Sequence, residues 1–309
     1  RAPDVGVGAG GLVEQRSRGG VVERTSSGCD PNMKIAVLSD IHANLPAFEA
    51  VLAHLASVEP HHVLVGGDII NRGPHPRECL ELVIERIEHH GWQVLKGNHE
   101  DYVLKAAQGT ERLPEWERKL CRHSAWTADR LTGLLPLIAA WEDSIELPMP
   151  DGSHLTCFHA SKKGNRVGLY EFMQDAEMLE HVHPAPSAMC VGHTHVPFVR
   201  FIEGKLIVNS GAVGMPFDRD PRASYALFEW SPEGWNAEII RVPYDRELTE
   251  KAYIETGYLT DAGPMVPLIR EELRHACSRL GIWHRTYESL VASGQMTIED
   301  SVQAMLHEA

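Results

Sequence analysis

The chain has 309 residues, 43% of them hydrophobic and 23% charged, with a formal net charge of −14. That length allows one large or two ordinary domains with a sizeable core, and the composition excludes a fibrous or disordered chain. The acidity argues against nonspecific nucleic-acid binding, which depends on Lys and Arg contacts to phosphate, and no apolar run reaches the roughly 20 residues of a membrane span.

Residues 1–32 are rich in Gly, Arg and Ser and show little hydrophobic periodicity. They read as a disordered N-terminal extension ahead of Met33, without the charged segment and apolar core of a signal peptide. From Met33 strand and helix patterns alternate. Lys34–Leu38 reads as a buried strand followed by Asp40-Ile-His42, after which Pro46–Ser57 places Phe48, Val51, Leu52 and Leu55 at helical spacing. His62–Val65 is the second strand and runs into Gly67-Asp68. Pro76–His89 follows with Leu80, Val83, Ile84 and Ile87 on one helical face. Gln93–Leu95 leads into Gly97-Asn98-His99-Glu100. Asp68 lies 28 residues beyond Asp40 and Asn98 lies 30 beyond Asp68, each about one βαβ unit.

Residues 100–131 read as a helical insertion, with Pro114 opening its second helix, placed to roof whatever the third motif builds. From Ser144 to Val242 the signals are strand-like. Leu155–Phe158 precedes His159, and Ala188–Val191 precedes Gly192-His193-Thr194-His195. Phe198–Ile202, Lys205–Val208 and Tyr225–Trp230 follow, while His181 and His183 read as loop. Residues 250–308 return to helix within a C-terminal extension over 244–309, with Val266–Leu280 as one continuous helix. The six cysteines (Cys29, Cys79, Cys121, Cys157, Cys190, Cys277) are scattered with no C-x-x-C pair, which points to a reduced, cytoplasmic protein.

Five strand ends therefore carry carboxylate, imidazole or amide donors, and functional groups in α/β sheets gather beyond the carboxyl ends of strands. Divalent ions of hard or borderline character take such donors, and two of them need a bridging carboxylate to offset their repulsion. Asp-x-His puts both side chains on one side of a strand end. Alone that motif is weak; Gly-Asn-His-Glu and Gly-His-x-His are more specific, and the ordered set points to an enzyme with a dinuclear metal site. Other histidines read more plainly. His54, His61, His62, His89 and His90 fall on helices or element ends and read as solvated, His123 as surface or core, and Trp116 and Trp126 as core; His75 stays open.

The set, together with the segments SDIHANLPAFEAVL, GPHPRECLELV, GNHE, VGHTHVPF and DPRASYAL, resembles the calcineurin-like metallophosphoesterase superfamily, in its smaller bacterial and archaeal phosphodiesterase-like branch. The resemblance implies an α/β fold over residues 33–243, a four-layer α/β/β/α sandwich of two mixed sheets, carrying here the roof insertion and the C-terminal helices. It implies that Asp40, His42, Asp68 and His195 bind one metal ion and Asp68, Asn98, His159 and His193 a second, with Asp68 bridging. His99 would assist the leaving oxygen, Arg72 would contact phosphate, and Asn44, Asn209 and Gly211 would line the site. Asn71 stands where serine/threonine protein phosphatases carry an acid that orients the histidine matching His99. Glu100 replaces an Asp and, not being a ligand, is expected to matter little.

The implied function is a phosphodiesterase or phosphatase acting on a small-molecule or nucleotide phosphoester through a metal-bridging hydroxide. The implied cofactors are two divalent ions, Mn²⁺ preferred and Fe²⁺, Zn²⁺, Ni²⁺ or Co²⁺ compatible. A serine/threonine protein phosphatase is the alternative, and a noncatalytic scaffold a more remote one. No membrane partner is expected, and a homo-oligomer is left open.

Overall fold

The computed structural model describes residues 32–307. The expected N-terminal extension lies, apart from Asn32, outside the described residues. The first alternating run becomes β1 (Met33–Leu38), α1 (Leu45–Val58), β2 (His62–Val65), α2 (Pro76–His90) and β3 (Gln93–Val94). Both helices carry Pro in the first turn and stop at a left-handed residue, Glu59 and Gly91. The roof comprises α3 (Asn98–Ala107), α4 (Glu115–Leu120), α5 (Arg122–Arg130) and α6 (Leu135–Ala139). Next come β4 (Ser144–Pro148), β5 (His154–Phe158), α7 (Asp175–Val182), β6 (Ala188–Val191), β7 (Phe198–Ile202), β8 (Lys205–Asn209), β9 (Ala223–Ser231) and β10 (Gly234–Val242). The described chain closes on α8 (Arg246–Glu255), α9 (Tyr258–Asp261), α10 (Val266–His275), α11 (Leu280–Thr286), α12 (Glu288–Ala292) and α13 (Ile298–His307).

The strands form two five-stranded sheets, ordered β10-β9-β1-β2-β3 and β4-β5-β6-β8-β7. Both are mixed: β1, β2 and β3 are parallel while β9 runs antiparallel to β1, and β5, β6 and β8 are parallel between antiparallel edge strands β4 and β7. Alternation along each strand divides the apolar side chains between two faces. Ile35, Val37 and Leu64 meet Leu155, Cys157, Cys190 and Val208 in a core shared by the sheets. Ala36, Leu38 and Val65 point the other way, onto Phe48, Val51, Leu80 and Val83 of α1 and α2. On the far side Met189, Val191 and Ile207 pack against Met178 and Val182 of α7. The result is the four-layer α/β/β/α sandwich.

Two local expectations change. His181, expected as loop, lies in the last turn of α7, and His183 follows directly as its C-cap. An eight-residue helix is marginal alone, but Met178 and Val182 are fully buried, and each such side chain contributes about 1.5–3 kcal/mol. The continuous helix expected over Val266–Leu280 breaks after His275. Ala276 turns left-handed at φ 46, and its carbonyl accepts from Arg219 N at 2.8 Å. The C-terminal helices are not loosely appended. Met265, Ile269, Leu280 and Trp283 pack with Trp116 and Leu120 of the roof, and Trp126 of α5 is buried against Tyr253, Tyr258 and Leu273.

Candidate metal centre

Every donor residue of the motifs sits just beyond a strand. Asp40 and His42 follow β1, Asp68 follows β2, Asn98 follows β3, His159 follows β5, and His193 and His195 follow β6. Asp40, His42, Asp68, His193 and His195 all adopt left-handed backbone, with φ between 47 and 66°, a conformation that costs a non-glycine residue about 1–2 kcal/mol. Contacts between the loops hold it. Asp40 N donates to Gly67 O at 3.1 Å, His42 N to Asp68 O at 2.9 Å and Gly192 N to His159 O at 2.8 Å.

Glu100 is the centre of this scaffold, and its importance was missed in the sequence. Fully buried, it accepts from Asp68 N and Gly97 N through Oε2, both at 2.8 Å, and from Ile69 N and Ile70 N through Oε1 at 2.9 and 3.2 Å. Burial and the charge of Asp68 push its carboxyl up to about 7, against the pull of these backbone donors. A readable signal existed: an acid three residues after a helix-starting Gly occupies the capping-box position. Gly97 is itself constrained, because a Cβ there would lie 2.1 Å from Asp68 Oδ1.

The seven donor residues converge as two overlapping groups. In the first, His195 Nε2 lies 3.1 Å from Asp40 Oδ1 and 3.1 Å from His42 Nε2, which is 3.8 Å from Asp68 Oδ2. In the second, the same Asp68 Oδ2 is 3.2 Å from His159 Nε2, and Asn98 Oδ1 lies 2.8 Å from both His159 Nε2 and His193 Nδ1. His195 Nδ1 donates to Met215 O at 2.5 Å and His159 Nδ1 to Gly66 O at 2.8 Å. These bonds turn the other ring nitrogen of each toward the carboxylates.

The donor set fits divalent cations. Asp40 Oδ1 is buried without a hydrogen bond, and His42 Nε2 and His195 Nε2 face each other at 3.1 Å. Burial acts to raise Asp40 and Asp68, but His195 lowers the first and His159 the second, so both stay ionised. Burial acts to lower His159, yet Asp68, Asp40 and the bond to Gly66 together outweigh it and lift the ring to about 10. His42 is pushed down to about 3 and His193 to about 4, chiefly by burial and neighbouring rings. The carboxylates thus draw a proton where a metal ion would satisfy them, and oxygen and imidazole donors suit hard or borderline ions.

His99, in the first turn of α3, lies against this cluster, its ring centroid 4.9 Å from that of His42. Its Nδ1 is 2.9 Å from Asn71 Nδ2, which also donates to Ser124 Oγ at 2.9 Å, so Asn71 orients the ring despite being an amide. Burial, then Arg72 and His42, hold its pKa well below the usual imidazole range. His99, Arg72 and His123 line a cleft of about 620 Å³ that starts at Asp68, Asn98, His193 and His195. Its walls are Tyr102, Lys105 and Leu120 from the roof and Met265, Leu280 and His284 from the C-terminal helices. The sequence had given no sign of that second wall.

Three expected site residues are placed elsewhere. Asn44 caps α1 through Ala47 N at 3.3 Å, donates to Gly214 O at 2.8 Å and accepts from Thr249 Oγ1 at 2.8 Å. Asn209 donates to Gly192 O at 2.8 Å and Thr194 Oγ1 at 2.9 Å, and accepts from Gly211 N at 2.8 Å. Neither they nor Gly211 line the cleft; they brace the loops behind the donors. His75 occupies the N-cap position of α2 without a side-chain cap bond, outside the cleft lining.

The profile of the calcineurin-like phosphoesterase superfamily domain matches residues 33–233. An uncharacterised protein of Methanocaldococcus jannaschii is 30% identical over 239 residues, covering 71% of this chain and 90% of the relative. The crystal structure of a metallophosphoesterase from Sphaerobacter thermophilus superposes with TM-score 0.60 at 28% identity, over 79% of this chain and 99% of that one. A hypothetical protein of Pyrococcus horikoshii shares the fold with TM-score 0.65 at 17% identity, over 76% and 97% of the two chains.

Proposed function

The chain belongs to the calcineurin-like phosphoesterase superfamily and is a metallophosphoesterase, and from that premise we propose that it hydrolyses a small-molecule or nucleotide phosphoester with two divalent ions. The observation that carries this reading is the pair of donor groups sharing Asp68 Oδ2 at the floor of a cleft of about 620 Å³. Asp40, His42, Asp68 and His195 would hold one ion, and Asp68, Asn98, His159 and His193 the other. When bound, the ions supply Lewis acidity, positive charge for the phosphate oxygens and an acidified water at neutral pH. Mn²⁺ is our first choice among ions compatible with these donors.

The remaining chemistry belongs to side chains around the cleft. Arg72 offers a planar fork of donors for equatorial phosphate oxygens. With Asn71 Nδ2 donating to Nδ1, the single proton of neutral His99 resides on Nε2. The low pKa keeps the ring neutral near pH 7. His99 therefore serves as an N–H donor to the leaving oxygen, a weaker aid than an imidazolium acid. The walls that the roof and the C-terminal helices raise on either side of the cleft support a compact organic ester over a phosphoprotein. The C-terminal helices are accordingly part of the catalytic unit built on residues 33–243. The free thiols of Cys79, Cys157 and Cys190, all buried, support a reducing cytoplasmic setting. Among the described residues no helix is long and apolar enough to cross a membrane.

The test is elemental analysis of the purified protein followed by a substrate screen with nucleotides, other small phosphoesters and phosphopeptides. Two metal equivalents and turnover confined to small esters are expected. One equivalent or none in active protein would overturn the dinuclear reading, and preferential turnover of phosphopeptides would favour the protein-phosphatase alternative.

A further inference from the structure

We propose that Glu272, on α10 of the C-terminal extension, is the positioning residue for Arg72, an inference that rests on reading Arg72 as a phosphate contact. Asn71 and Arg72 are successive left-handed residues at φ 72 and 63, and a Cβ on Gly73 would meet His42 O at 2.1 Å. The main chain at Arg72 is thereby fixed against the segment carrying His42. The long side chain beyond it needs its own restraint, since its rotamer freedom would otherwise be lost on binding phosphate.

Glu272 supplies that restraint. It is fully buried. Its Oε1 accepts from Arg279 N and Leu280 N, both at 2.8 Å, and so holds the start of α11. Its Oε2 makes no hydrogen bond and lies 3.7 Å from Arg72 Nη1. Arg72 Nε is likewise buried and unbonded. A buried carboxylate with one oxygen unused needs a nearby cation, and among the described residues Arg72 is the cation paired with it. Tyr253 of α8 adds a second tie from the same extension, donating to Arg72 O at 3.3 Å. One carboxylate thus sets two parts of the cleft: the guanidinium through Oε2, and the wall residues Leu280 and His284 through Oε1.

The experiment uses the metal-loaded enzyme, a nitrophenyl phosphoester as substrate and inorganic phosphate as competing probe. Glu272→Gln keeps an oxygen for Arg279 and Leu280 and removes the charge. It should retain two metal equivalents, while KM and the inhibition constant for phosphate rise about tenfold with a smaller change in kcat. Glu272→Asp, still charged but one methylene shorter, should recover part of the loss. In an Arg72→Ala background Glu272→Gln should have no further effect. If Arg72→Ala alone leaves phosphate affinity unchanged, Arg72 is no phosphate contact, and the present inference falls with that reading. If Arg72→Ala weakens phosphate while Glu272→Gln does not, or the two losses add, the positioning role is overturned and the phosphate role of Arg72 stands. Should the amide variant fail to fold, Glu272→Asp carries the same cycle against Arg72→Ala.

Discussion

Glu100→Gln should loosen the metal centre at almost constant side-chain volume. The wild-type carboxylate receives the N–H groups of Asp68 and Gly97 on one oxygen and those of Ile69 and Ile70 on the other. Glutamine replaces one oxygen by NH₂, so either amide rotamer leaves a pair of N–H groups facing a donor. Hydrogen bonds to a charged acceptor contribute about 1.5–3 kcal/mol each, which makes the gross loss roughly 3–6 kcal/mol. Removing a buried charge offsets part of that, because burial and Asp68 already push this carboxyl up to about 7. A net loss of about 2–4 kcal/mol remains, equivalent to a fall in Tm of roughly 3–7 °C for a chain of this size. Asp68 itself sits at φ 53 on the released loop, so metal content should fall with stability. Calorimetric unfolding with and without added Mn²⁺, paired with elemental analysis, reads both effects. A variant that melts within about 1 °C of wild type and keeps its full metal content would refute the clamp.

Asp68→Ala should lose both ions and nearly all activity, whereas His193→Ala should deplete chiefly the second site; full metal content in Asp68→Ala by elemental analysis would contradict the shared ligand. His99→Ala should keep its metals and lose more kcat/KM on alkyl than on nitrophenyl phosphoesters, since only a poor leaving group needs a donor. The difference should sit at the low end of the about 10²–10⁴-fold typical of proton-transfer aid, because the ring is neutral; equal losses on both esters would assign His99 to phosphate positioning. Chelation should lower Tm, since each site saturated at about 100 times its Kd contributes about 2.7 kcal/mol, and a melting curve indifferent to chelator would argue against resident metal ions.

Much of the architecture was legible because buried parallel strands are continuous apolar runs with abrupt Gly or Asp stops. His62–Val65 and Ala188–Val191 match their observed bounds, and the strand before His159 differs by one residue. Periodicity reports which face is buried, and it fails where burial does not decide the conformation. The break at Ala276 comes from a left-handed turn tied to Arg219, which no spacing of Leu268, Ile269 and Leu273 foretells. Glu272 was opaque for a related reason: its partners are backbone N–H groups and a guanidinium on other segments, and a buried Glu looks in sequence like any helix-surface acid. At Glu100 the capping-box spacing signals the bond to Gly97 N but not those to Asp68, Ile69 and Ile70. Asn44 and Asn209 show the converse. Asn44 stands just beyond His42 and Asn209 closes β8, yet both amides are consumed by loop bracing.

The donor residues are divided between the sheets. Asp40, His42, Asp68 and Asn98 extend from the first, and His159, His193 and His195 from the second. Each proposed ion is therefore gripped by both sheets, across the seam that unfolding must open. Separation of the layers would require simultaneous release of ligands on both sides. Bound metal would then act as a rivet, slowing the rate of opening and lengthening survival against proteases or heat beyond what equilibrium stability alone provides.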